Sequence, residues 1–186
     1  VDLPDNVSTF ELDPLAAQFN PAPFQDISTI LVTLPGVSSR NEFSTAYSVR
    51  GGNYDENLVY VNNIPVYRPQ IVTSGQQEGL SFVNTDLVRG IAFSSGGWET
   101  KYGDGLASTL NIDYKRPREF GGSINVGLLG GSVHLEGATE DQRFTYLLGA
   151  RHKRAQYLLQ TLETEGEYQP RFSDIQTYLN YDLSKG

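Results

Sequence analysis

The chain has 186 residues, enough for one domain with a substantial core, or one domain and part of a second. A net charge of −8, from 14 basic and 22 acidic residues, argues against a phosphate-backbone partner and so against nucleic acid. The lack of cysteine excludes disulfides, thiolate metal sites and a cysteine nucleophile.

No run approaches the roughly 20 apolar residues of a spanning helix. Nineteen glycines, eleven tyrosines and nine phenylalanines, with charged residues at 19%, favour many short strands joined by tight turns. Methionine is absent even at position 1, so the sequence is expected to begin downstream of the translated start, and no signal peptide is visible.

Residues 1–25 carry four prolines (Pro4, Pro14, Pro21, Pro23) and little periodicity, and read as an extended, irregular lead-in. Ile27, Ile30, Leu31 and Leu34 then fall on one helical stripe, with Asp26 as N-cap and Pro35-Gly36 as the stop. Tyr47 to Arg50 reads as a strand entering Gly51-Gly52. Leu58 to Val61 and Ile64 to Tyr67 flank Asn62-Asn63, a pair that tolerates positive φ and predicts a type I′ hairpin. Pro65 cannot donate to a ladder, which puts its strand at an edge or a bulge.

Residues 68–79 are polar and aperiodic, a loop long enough to be functional. A short helix is expected from Asn84 to Arg89, with Asn84 as cap, then strands at Ile91 to Phe93 and Leu110 to Tyr114 around a glycine-rich connection. These elements predict a small mixed α/β domain ending near Arg116-Pro117.

Beyond Pro117 the pattern becomes dyadic. Ile124, Val126 and Leu128 alternate with small or polar residues; the apolar phase flips across Gly130-Gly131 to Val133 and Leu135, which a glycine-pair hairpin explains, with a bulge as the alternative. Phe144, Tyr146, Leu148 and Ala150, then Ile175, Leu179 and Tyr181, alternate in the same way. Four such strands make an antiparallel meander, suited to a sandwich or to a membrane barrel wall.

Catalytic signatures are missing. His134 and His152 fall on different strands and read as surface or barrel-facing side chains. There is no nucleophile elbow, Walker loop, zinc-protease motif or dinucleotide fingerprint. Asp55 and Glu56 are adjacent on an extended segment and point to opposite faces, so they do not share one ion easily. No metal site, cofactor or enzyme activity is expected. Arg151, Lys153 and Arg154, the one basic cluster, read as a solvated strand end.

The ordered set DISTILVTLPGV at 26–37, VRGGNYDENLVYVNNIPVYRP at 49–69 and VNTDLVRGIAFSSGGWETKYGDGLASTLNIDYKRP at 83–117 resembles the plug domain of TonB-dependent outer-membrane receptors, in particular the Bacteroidota type. The resemblance implies an extended segment at 1–25, an α/β plug with a small mixed sheet and short helices at 26–117, and at 118–186 the first four or so antiparallel strands of a transmembrane β-barrel. Four strands cannot close around a plug, so the chain is expected to be part of a longer receptor, and no TonB box is recognisable before residue 26.

The resemblance further implies energy-coupled uptake of a nutrient (oligosaccharide, peptide, siderophore or similar) at the bacterial outer membrane, gated by the plug. Partners would be TonB in the periplasm, outer-membrane lipid, the remainder of the barrel or another channel, and a surface lipoprotein lid. By the same analogy Arg50 and Arg89 would contact the barrel wall, while Asn53, Tyr54, Tyr67, Arg68, Gln70, Gln76 and Gln77 would face substrate. Two other readings stand beside it: a plug-like accessory subunit sealing a separate channel, and a soluble β-rich binding module.

Overall fold

The computed structural model describes residues 9–16, 26–39, 46–67, 69, 73–74, 77–78, 81–97, 101–103, 106–127, 130–154 and 171–183. The chain divides into two compact units, Val1–Tyr114 and Lys115–Gly186.

The first unit is built on a five-stranded mixed sheet. Its strands are β1 (Thr9–Leu12), β4 (Asn57–Val61), β5 (Ile64–Pro65), β8 (Val88–Ser94) and β9 (Ser108–Tyr114), in the spatial order β1-β8-β9-β4-β5. β4 and β9 run parallel; the other neighbours are antiparallel. Beside it lie helix α1 (Ile27–Leu31), the ribbon of β2 (Val37–Ser39) with β3 (Tyr47–Val49), and the two-residue strands β6 (Thr73–Ser74) and β7 (Gln77–Glu78).

Register explains the core. Phe10, Phe93, Leu110 and Val59 line up across four strands, and Leu12, Ile91, Ile112 and Val61 form the next row on the same face. Ile27 and Leu31 of α1 pack with these rows, joined by Val37, Tyr47, Val49, Val83 and Val88. Each such side chain removed from water contributes about 1.5–3 kcal/mol. On the opposite face Tyr60 meets Tyr102, ring centroids 4.8 Å apart, and Lys101 Nζ sits 4.7 Å from the Tyr102 ring centre.

The local expectations hold in part. Asp26 caps α1 by accepting from Ser28 N–H at 3.1 Å. Asn62 and Asn63 have φ of 49° and 65°, the paired left-handed turn that joins β4 to β5, and Pro65 lies on the sheet's edge strand. Asn62 also ties the turn to β9: its Oδ1 accepts from Tyr114 N–H at 3.0 Å and its own N–H donates to Ile112 O at 2.9 Å.

Several elements differ. Thr9–Leu12, placed in an irregular lead-in, is a strand, because β8 supplies a partner 85 positions away. α1 stops at Leu31 rather than at Pro35-Gly36; Leu34 sits in the following turn, which Gly36 closes at φ 79°. The helix expected at Asn84 to Arg89 is one 3₁₀ turn, Thr85–Leu87, whose cap Asn84 accepts from Asp86 N–H, and Val88 and Arg89 already belong to β8. Strand β2 had no sequence signal.

The second unit is a four-stranded antiparallel meander of β10 (Gly121–Gly127), β11 (Gly130–Ala138), β12 (Phe144–Arg154) and β13 (Arg171–Tyr181). Gly130 and Gly131 are not the turn: Gly127 pairs with Gly130 and Val126 with Gly131, so the connection is residues 128–129 and the glycine pair opens β11. Leu128 lies outside the described residues. The β11–β12 turn is held by Asp141, which accepts from the Thr139 hydroxyl and from Arg143 N–H at 3.1 Å. These two donors, the Thr139 hydroxyl foremost, hold the Asp141 carboxyl below its ordinary value. Its contribution is present above the usual carboxylate range and fades as pH falls through its own lowered value.

Pairing sorts the meander into two faces. Ile124, Val133, Ala150 and Ile175 form one cross-strand row, and Leu135, Leu148 and Thr177 the next. This apolar face is the open one: Ile124 is 77% exposed, Val126 89% and Ile175 83%. The other face is polar, with rows Asn125–Ser132–Arg151–Asp174 and Ser123–His134–Gly149–Gln176. There Arg151 Nε donates to Asp174, and Glu136 Oε2 lies 3.0 Å from His134 Nε2 and 3.6 Å from Lys115 Nζ.

Tyr47 puts a polar group into the first unit's core. Its phenol is buried and has no hydrogen-bond partner among the described residues; the Ser108 hydroxyl nearby donates to Asn57 Oδ1 at 2.7 Å. Burial pushes its ionisation well up, and Ser108 only partly opposes this. A raised folded-state value means stability is retained below the ordinary tyrosine range, near 10, and falls above it by about 1.4 kcal/mol per pH unit. Tyr47→Phe keeps the edge-on contact with Phe93 at 6.3 Å between ring centroids and removes an unpaired hydroxyl. Its urea-unfolding midpoint at pH 7 is expected to match or exceed that of the parent, with a shallower alkaline decline. A loss above about 1 kcal/mol would show that the hydroxyl is bonded after all.

Candidate functional site

Of the predicted site residues that the structure describes, Arg50, Asn53, Tyr54 and Tyr67 gather at one end of the mixed sheet. β4 and β9 begin there, β8 ends there, and β5, antiparallel to β4, carries the chain back to it. The chain enters through a tight turn: Arg50 has φ 50° and Gly51 φ 83°, Arg50 N–H donates to Gly36 O at 2.8 Å and Gly52 N–H to Val49 O at 2.9 Å. Asn57 locks the 3₁₀ turn at Tyr54–Glu56, donating to Tyr47 O at 2.8 Å and Tyr54 O at 3.1 Å while accepting from Ser108. Asn53 and Tyr54 are thereby held outward on a braced turn, with Tyr54 58% exposed.

Tyr67 returns to the same end beside Leu58, since Val66 N–H donates to Val59 O at 2.8 Å, and it is 90% exposed. Asn53, Tyr54 and Tyr67 are therefore brought to one end with Arg50. Gln77 lies on β7. Arg68, Gln70 and Gln76 lie outside the described residues.

The two arginines are not brought together. Arg50 lies against two glycine turns: a Cβ added at Gly36 would sit 3.4 Å from Arg50 Cγ, and one at Gly96 would sit 3.2 Å from Arg50 Nη1. Gly36 and Gly96 thus leave its passage clear, and both also need positive φ, 79° and 138°. Arg89 sits at the far end of the sheet, at the register shift between Val88 and Gly90, and pairs with Asp113 of β9 at 3.5 Å. That pair is well exposed and contributes little to stability. A polar groove beside it is lined by Glu11, Asp13, Arg89 and Asp113.

Sequence reasoning passed over Asn57, Ser108 and Gly96 at this turn, and read Gly36 only as part of the helix stop. Their partners lie on other strands, so no local pattern marks them. Among the described residues no cluster of His, Cys, Asp and Glu could hold a metal ion, and no helix is long and apolar enough to cross a membrane.

The sequence pattern of the family described as TonB-dependent Receptor Plug Domain matches residues 2–109. The chain belongs to this family. No curated protein matches it. Among solved structures it is similar to the siderophore receptor PirA from Acinetobacter baumannii, at 16% identity and a TM-score of 0.67, covering 96% of this chain and 30% of that one. It is also similar to an R480A mutant of the ferric enterobactin receptor PfeA from Pseudomonas aeruginosa in complex with enterobactin, at 19% identity and a TM-score of 0.62, covering 96% and 31%. A third is the outer-membrane transporter YddB from Escherichia coli, at 13% identity and a TM-score of 0.61, covering 96% and 31%. The chain thus spans about 30% of the length of the first receptor. At these identities the shared property is the fold, a plug domain followed by antiparallel strands that do not close a barrel within this chain.

Close packing at the turn generates a test. A Cβ at Gly52 would meet Glu56 Oε2 at 2.7 Å and Ala107 Cβ at 2.8 Å. Gly52→Ala is expected to lower stability by about 1–3 kcal/mol, and Ala107→Gly in the same protein to restore part of the loss. Absence of any recovery in the double variant, read from unfolding midpoints, would place the clash elsewhere.

Proposed function

We propose that the chain is the plug and first barrel strands of a TonB-dependent outer-membrane importer, which takes up a nutrient such as a siderophore, oligosaccharide or peptide. One observation carries this reading: a unit of the plug family is followed in the same chain by strands whose apolar face is the exposed one. β11, β12 and β13 have 9, 11 and 11 residues, the length a tilted strand needs to cross a bilayer. Lipid covers the apolar face in this reading and the polar face lines the lumen. This arrangement supports the importer over a soluble binding module, which would need a second sheet over the apolar face.

The Arg50 end of the plug sheet faces the substrate, with Asn53, Tyr54, Tyr67, Arg68, Gln70, Gln76 and Gln77 as contacts. Tyrosine rings and amides suit flat chelates and sugars alike. Arg50 and Arg89 contact the barrel wall, Arg89 by exchanging or sharing its exposed partner Asp113. TonB engages the N-terminal side from the periplasm, and a surface lipoprotein closes the outer mouth.

Uptake tests the proposal. Cells carrying the intact gene are given a panel of labelled siderophores, oligosaccharides and peptides. Accumulation of one class is expected to vanish on deletion of the gene and on collapse of the proton gradient; survival of uptake for every class under both treatments would sink the importer reading. The barrel wall is tested separately. Leu148→Arg, at mid-strand on the apolar face, is expected to cost about 2–4 kcal/mol and to deplete the protein from the outer-membrane fraction. Gln176→Arg, on the polar face, is expected to leave assembly intact. Equal tolerance of the two would argue against lipid on the apolar face.

A further inference from the structure

Asp26 does more than cap a helix. It is 1% exposed. Its Oδ1 accepts from Ser28 N–H at 3.1 Å at the start of α1. The same carboxylate reaches 55 positions along the chain to Ser81, whose N–H donates to Oδ2 at 3.1 Å and whose hydroxyl lies 2.9 Å from Oδ1 and 3.0 Å from Oδ2. One residue on, Phe82 N–H donates to Pro69 O at 3.0 Å. The chain between 69 and 82 is therefore closed at its neck, and the neck is fastened to the first turn of α1.

Close packing does not make this joint by itself. A cavity of about 30 Å³ lies there, lined by Asp26, Ile27, Leu31, Pro69, Ser81 and Phe82 among others. The carboxylate spans the place where apolar contact is incomplete. Departure of Ser81 would leave the buried carboxylate with only the Ser28 N–H at 3.1 Å and the Ser28 hydroxyl at 3.4 Å, both on Oδ1, and Oδ2 with no donor among the described residues; a buried charge that loses donors is costly, so a state in which Ser81 has left while Asp26 stays inside is disfavoured. If the neck departs, Asp26 must turn out to water, and α1 then loses its cap.

We infer that Asp26 makes the start of α1 and the neck of the 69–82 segment one cooperative unit, in which displacing either displaces the other. This coupling does not depend on the importer reading.

Hydrogen exchange on the full protein in detergent micelles tests it. Ser81→Ala leaves Asp26 and its bond to Ser28 N–H in place and removes one donor from the other element. Amides 81–83 and the amides that donate to α1 carbonyls, Val32, Thr33 and Leu34, are expected to exchange about tenfold faster together, with β8 and β9 unchanged. Asp26→Asn can still accept from Ser28 N–H but turns an amide donor toward Ser81; it is expected to produce the same paired loosening, more strongly. Faster exchange confined to 81–83, faster exchange confined to α1, or no change in either overturns the inference. If Asp26→Asn also loosens β8 and β9, the Ser81→Ala pattern decides.

Discussion

The parallel pairing of β4 with β9 is the constraint on which the plug unit depends. Asn57 to Val61 run alongside Ser108 to Ile112, and parallel neighbours require the chain to leave one strand and return to the same end before starting the next. The Asn62-Asn63 turn, β5, the neck at Pro69 and Phe82, and the whole of β8 occupy that return path. Because β5 and β8 both run against the central pair, Tyr67 and the Ser94–Gly97 turn are delivered to the end where Arg50 and Tyr54 already stand. The clustering of candidate side chains is thus a product of strand direction, and Asn57 with Ser108 secures the pair at that end.

The second unit obeys a simpler rule. Each strand contributes alternate residues to two faces, and straight antiparallel register keeps the rows coherent over four strands. On the polar face, Arg151 finds Asp174 across the ladder, and Lys115 and His134 both approach Glu136. On the other face nothing polar interrupts Ile124, Val133, Ala150 and Ile175. An exposed apolar face of this breadth is unusual in contact with water and ordinary in contact with lipid.

Legibility in the sequence followed the range of the forces. The Asn62-Asn63 turn, the Asp26 cap and the dyad repeats of the meander were all readable, because each is decided within a few residues. What failed was decided elsewhere. Thr9–Leu12 is a strand only because β8 offers an edge; Val88 to Gly90 join a strand rather than a helix because Tyr114 lies opposite Val88 and Asp113 opposite Gly90; and Gly130-Gly131 proved to be strand because the pairing of Gly127 with Gly130 fixes the turn two residues earlier. At the candidate site, Tyr54 and Tyr67 were named by family likeness. The place of Gly36 and Gly96 beside Arg50 was missed, since there they stand aside for an arginine that approaches from another turn.

The length of chain enclosed by each pairing differs sharply between the units. β10 meets β11 across residues 128–129, whereas Thr9 meets Ser94 across 85 positions. Closing a long segment costs more entropy than closing a short one, and topologies rich in distant pairings form slowly. The meander can therefore zip from its own hairpins, while β1 has only four residues of ladder to offset the largest closure in the fold.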